Sequence, residues 1–186
     1  LHWGWRRGGQ RSQVGGEGPH VVAQGDALIL DLRKNGGGAE TANLLMGYLL
    51  PPDSPLSGTY DRPSNKHTYI SSPPWVPGRR FGSTKPLYVL TSKRTFSAAE
   101  AVAYDLQALK RAVIVGEATG GGAHPFEYRR IHQHFAVDLP EGKSINPITG
   151  SNWQGVGVKP DVAVSADQAL STALELAKSA LKASSK

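Results

Sequence analysis

The chain has 186 residues, enough for one domain with a real core, and its 39% hydrophobic and 19% charged content is that of a soluble globular protein rich in loops (22 Gly, 13 Pro). The formal charge of +6 gathers partly at the ends, at Arg6, Arg7 and Arg11 and at Lys178, Lys182 and Lys186, with no basic stripe interleaved with aromatics, which speaks against nucleic-acid binding. There is no cysteine, which excludes disulfides, zinc-thiolate sites and a cysteine nucleophile, and no apolar run is long enough to span a membrane.

Residues 1–25 are poorly patterned: glycine interrupts them repeatedly, residues 1–10 lack the apolar core of a signal peptide, and only residues 19–23 look ready to join structure. A single core is expected over residues 26–183. It opens at residues 26–32 (Asp-Ala-Leu-Ile-Leu-Asp-Leu), a near-continuous apolar run that suits a strand buried on both faces. Gly36, Gly37 and Gly38 turn the chain into a helix over residues 39–50, with Leu44, Leu45, Tyr48 and Leu49 expected inward and Pro51-Pro52 ending it. Residues 51–85, punctuated by prolines, read as a long excursion or lid, with at most a short strand over 66–70.

Residues 87–90 read as a buried strand, followed by a polar turn and a helix from Ser97 to Leu109. Ala101, Val102, Leu106 and Leu109 recur on one face of that helix, with Asp105, Gln107 and Lys110 outside or at its edge. Residues 112–116 give another buried strand. Residues 131–139 alternate, Ile131, Phe135, Val137 and Leu139 against His132, His134, Ala136 and Asp138, as a strand with one wet face. A short strand over 162–164 and an amphipathic helix from about Asp167, carrying Leu170, Leu174, Ala177 and Leu181 on one face, complete an α/β layer fold.

A hydroxyl at position 97 sits at a helix N-terminus, where unpaired amides favour negative charge, which suits a serine nucleophile. Ser97-Ala-Ala-Glu100 is also a capping box, with the serine on the third amide and the glutamate reaching back. The Gly36–Gly38 turn fails the dinucleotide fingerprint, since Thr41 stands at the third glycine position, and neither glycine cluster carries a P-loop lysine. What remains is an anion-holding turn or a tight turn with glycine for sterics alone. His132 and His134 are spaced to share a metal but lack a carboxylate motif. His124 could serve as a base or be a loop residue pinned by Pro125, and Asp31 with Arg33 reads as a structural ion pair.

Four stretches in this order, residues 26–38, 87–100, 110–121 and 155–161, together resemble the C-terminal-processing (tail-specific) serine peptidase family, and within it the interphotoreceptor retinoid-binding protein-like and tricorn-like branch. The resemblance implies a ClpP/crotonase-like core of repeated ββα units and peptide hydrolysis through an acyl-enzyme on Ser97. The amides of Gly37 and Ala98 would form the oxyanion hole. No cofactor is implied, the partner would be a peptide or unfolded protein, and the location would be periplasmic or extracellular. Two positions depart from the family pattern: the lysine of the serine–lysine dyad falls on Gly122, and the glutamate of the tricorn branch falls on Gln154. The base would then come from His124, His20 or a missing segment. A fragment or impaired copy of a longer enzyme is expected, or else a non-catalytic module that binds a peptide or hydrophobic ligand in an apolar cleft under the 51–85 loop.

Overall fold

The computed structural model describes residues 4–7 and 10–13 as backbone, and residues 23–38 and 40–184. Its centre is a four-stranded parallel sheet in the order β11-β7-β6-β3, formed by β3 (Leu28–Asp31), β6 (Leu87–Thr91), β7 (Val113–Gly116) and β11 (Val162–Ala163). Strand β6 is buried along its whole length because both faces are covered. Leu87 and Val89 point into one core with α1 (Glu40–Leu49) and α2 (Ala98–Ala108), while Tyr88 and Leu90 point into another beneath α3 (Ala169–Ser184).

The helices follow the expected spans with rotated faces. In α1 the inward residues are Leu45, Met46 and Leu49, whereas Leu44, expected inside, is exposed. In α3 the buried line is Ala169, Ala173 and Ala177, one residue per turn, and the leucines flank it. Small side chains on that line let the helix lie close to the sheet. The largest departure is in α2, where Asp105, placed outside by its polarity, is buried. Its carboxylate accepts hydrogen bonds from Ser57 N (3.0 Å), Ser57 Oγ (2.5 Å) and Asn146 Nδ2 (2.8 Å).

Residues 51–85 are more ordered than a lid. They carry β4 (Pro55–Asp61) and β5 (Lys66–Ser71), which join β10 (Gly142–Ile145) in a second, antiparallel sheet in the order β10-β4-β5. The register shifts between Leu56 and Thr59, and at Gly58 any Cβ would fall 2.0 Å from the Thr68 carbonyl oxygen. The prolines made the segment read as an excursion, with only the short strand expected over 66–70 present as β5, and the sheet needs Gly58 for close approach. Leu56, Val76 and Phe81 of this segment are buried in the core.

Residues 131–139 do not form one half-buried strand. A turn at 131–135 separates β8 (Phe126–Arg130) from β9 (Ala136–Pro140), and this hairpin is exposed on both faces. At the front, β1 (Gly4–Arg7) and β2 (Gln10–Gln13) pair antiparallel in a segment that had no readable pattern.

Candidate active site

Ser97 stands at the step from β6 into α2, exposed, with φ 54° and ψ −124°. A side-chain-bearing residue in the left-handed region stores strain and needs its surroundings to hold it. Three loops do so. The 92–96 turn is joined to residues 32–35 by Thr95 Oγ1 donating to the Leu32 carbonyl oxygen (2.9 Å), Ser92 Oγ to that of Arg33 (2.6 Å) and Phe96 N to that of Asn35 (3.1 Å). From the other side, Gly120 N donates to the Thr95 carbonyl oxygen (2.9 Å).

The centre of this knot is Glu100, fully buried. One carboxylate oxygen accepts from Thr119 Oγ1 (2.5 Å) and Gly121 N (2.6 Å), the other from Ser97 N (2.8 Å) and Gly122 N (2.8 Å). The desolvation cost of a buried carboxylate is met by four donors, and the same oxygen ties the Ser97 amide to the Gly122 amide. The capping box is thus present on its glutamate side. On the serine side the arrangement is met only in outline: Glu100 N donates to the Ser97 carbonyl oxygen (2.9 Å), and Oγ makes no cap hydrogen bond.

The two amides expected to form an oxyanion hole are brought together. A Cβ built on Gly37 would lie 2.8 Å from Ser97 Cβ and 3.1 Å from Ala98 N, so only glycine, here at φ 103°, lets this turn approach the serine. Ala98 N donates to no described residue. Gly37 N donates to Asn35 Oδ1 (2.9 Å). An acceptor already lies on one arm of the hole. Asn35 was not singled out from sequence, although Asn-Gly-Gly is the pattern in which an Asn side chain bonds its own backbone two residues on.

On the opposite flank, residues 121–123 are completely engaged. Gly121 O accepts from Gly155 N (2.8 Å), Gly122 O from Trp153 Nε1 (3.0 Å) and Ala123 O from Ser144 N (2.9 Å). Ala123 N donates to Gln154 Oε1 (2.8 Å). Gln154, at the position of the tricorn-branch glutamate, therefore clamps this strip. Gly122, the position of the missing lysine, lies under the Phe96 ring: a Cβ there would fall 2.2 Å from Phe96 Cζ.

His124 is half-buried just past the clamp and makes no hydrogen bond to Ser97. His20 lies outside the described residues. His132 and His134 meet at the exposed hairpin tip, with ring centroids 5.8 Å apart and His132 Nδ1 accepting from His134 N (3.3 Å). No group of three or more potential metal ligands occurs among the described residues. Asp31 and Arg33 form a bidentate pair, at 2.9 and 2.6 Å, and Arg33 Nη1 also donates to the Ala166 carbonyl oxygen (2.7 Å). Burial would raise the Asp31 pKa, but the hydrogen bonds and charge of Arg33 outweigh it and hold the carboxyl below its usual range.

Residues 21–164 match the model of peptidase family S41. The chain belongs to that family. It is 31% identical over 143 residues to the chloroplastic C-terminal processing peptidase of Tetradesmus obliquus, covering 73% of this chain and 28% of that one. It is 34% identical over 96 residues to the carboxyl-terminal-processing protease of Synechocystis, covering 52% and 21%. The chain thus spans between a fifth and a third of the length of these relatives. Among solved structures, the photosystem II D1 C-terminal processing protease superposes with a TM-score of 0.60 at 29% identity, over 76% of this chain and 35% of the other. The α/β architecture is that of the ClpP/crotonase-like fold these peptidases share.

Proposed function

We propose that this chain is the serine-bearing core of a peptidase acting through an acyl-enzyme on Ser97, with a peptide or unfolded protein as substrate. The observation that carries the reading is the exposed, strained Ser97 beside the unpaired Ala98 amide, with Gly37 pressed against both. In the reaction Ser97 Oγ bonds to the scissile carbonyl carbon while a base takes its proton. Negative charge on the carbonyl oxygen is met by the Ala98 amide, and by the Gly37 amide once it gives up its bond to Asn35 Oδ1. The C–N bond then breaks as the leaving amine takes up the proton, and water releases the acyl group.

We assign the base to His124, the nearest described histidine in sequence to the clamped strip. A hydrogen bond to Ser97 would have to form on substrate binding, as catalytic hydrogen bonds often do. Family membership supports the reading, and the same resemblance supports a periplasmic or extracellular location and a single unit over residues 26–183.

The test is covalent labelling with an alkyl fluorophosphonate, with the adduct located by peptide mass. An adduct at Ser97, absent in Ser97→Ala, is the expected result; no adduct on folded protein would overturn it. The engaged strip at 121–123 favours a second reading, a non-catalytic peptide-binding module, because it leaves no room for a dyad lysine. Peptide binding without labelling would select it.

A further inference from the structure

Phe96 is an aromatic residue directly before the proposed nucleophile, and it is not part of the core. Its backbone is fixed at both ends: its amide donates to Asn35 and its carbonyl oxygen accepts from Ala99 N (3.1 Å). Its ring is draped over the backbone of the glycine strip. A Cβ on Gly120 would fall 2.6 Å from Phe96 Cδ2, and one on Gly122 would fall 2.2 Å from Cζ and 2.7 Å from both Cε atoms. Two residues without side chains therefore make the seat of one ring, yet 43% of Phe96 remains exposed.

The strip under the ring is immobilised by the Glu100, Trp153, Gln154, Ser144 and Thr95 hydrogen bonds, so the seat is rigid. It also has no side chain or spare amide with which to hold a substrate. The ring is an exposed apolar group on this flank, beside the half-buried His124. Because Gly122 N and Ser97 N share one Glu100 oxygen, the ring lies beside the serine.

We propose that Phe96 is a specificity-determining residue: its exposed face is an apolar platform for a substrate side chain flanking the bond presented to Ser97, so the chain prefers peptides apolar at that place over acidic ones. This rests on the peptide-acting reading of the site. A pre-ordered aromatic surface contributes by removing apolar area from water at little entropic cost.

The experiment uses two capped peptides that differ only in the two central residues, Leu-Leu or Asp-Asp. Their affinities for Ser97→Ala are read by fluorescence polarisation, and their turnover by the wild-type chain by mass spectrometry. The Leu-Leu peptide is expected to be preferred, and Phe96→Ala in either background should lower the preference about tenfold, the scale of a modest apolar contact. Phe96→Leu should recover most of it. Phe96→Gln keeps a side chain over the glycines but presents a polar end, and should behave as Phe96→Ala if that variant folds poorly. Equal losses for both peptides, or an unchanged ratio in Phe96→Gln, would overturn the proposal. Binding to Ser97→Ala needs no chemistry. A chain that is neither labelled nor active but keeps the Phe96-dependent preference would sink the acyl-transfer reading and leave this one standing.

Discussion

The two flanks of Ser97 are built from the same material and differ in what they leave available. Both are glycine turns carried by a parallel strand. Among the described residues, the only side-chain hold on the 35–38 turn is Asn35 Oδ1 on the Gly37 amide, and the neighbouring Ala98 amide has no acceptor. On the 120–123 side the Gly121, Gly122 and Ala123 amides and carbonyls are all bonded, largely to Glu100, Gln154 and Trp153. The lesson is a division of labour. On one flank the Ala98 amide has no acceptor among the described residues while the Gly37 amide is held by Asn35, and on the other the amides are spent on holding the serine in a strained conformation.

The sharpest way to break this comparison is at the serine. Ser97→Ala should abolish fluorophosphonate labelling yet change stability by no more than about 1 kcal/mol in chemical denaturation, because Oγ makes no cap hydrogen bond. Next in size is the keystone of the engaged flank. Glu100→Gln places an amide N–H group against donors and should cost at least about 3 kcal/mol of stability, with labelling lost even in protein that remains folded. A Glu100→Gln protein as stable as wild type would mean that the strip does not depend on this carboxylate.

His124→Ala should slow labelling by about a hundredfold while leaving the melting temperature unchanged, the scale of a lost general base. An unchanged rate would move the base elsewhere. On the open flank, Gly37→Ala forces a Cβ to within 2.9 Å of the Phe96 carbonyl oxygen at a positive φ, and should cost about 1–3 kcal/mol along with the labelling rate.

The smallest effect lies away from both flanks, at Asp105. Burial raises its pKa from 3.8 against the opposing hydrogen bonds from Ser57 and Asn146. A carboxyl that holds its proton more tightly when folded makes stability fall as pH rises from the ordinary carboxylate range through the raised value, and then level off. Asp31, held low by Arg33, acts oppositely: its contribution is present above 3.8 and is lost as pH falls through the lowered value. Unfolding free energies measured between about pH 3 and pH 7 should show the Asp105 fall in wild type and lose it in Asp105→Asn, whatever the variant's overall stability.

Much of this was written locally. The parallel strands were legible as apolar runs because β3, β6 and β7 are core strands of a doubly covered sheet, so nearly every position must be apolar. Helix α2 announced itself by periodicity and by Ser97 with Glu100 at capping distance, and the pairing of Gly37 with Ala98 followed from the resemblance. The short strand expected over 66–70 is β5, but β4 was hidden by the prolines of 51–85, of which Pro55 serves here at a strand start. The β8–β9 hairpin was misread because alternation signals a half-buried strand only where something covers one face.

The parallel strands, the helices and the serine at a helix start were thus legible in the chain's local pattern, since these depend on contacts between residues near in the chain and on burial of whole runs. Tertiary structure alone decided the fate of the polar groups. Glu100 looked like a cap and became a buried acceptor for a distant loop, Asp105 read as outside or at the helix edge and is buried, and Gln154 holds the Ala123 amide. A side chain's polarity states that it needs partners, and only the folded chain supplies them.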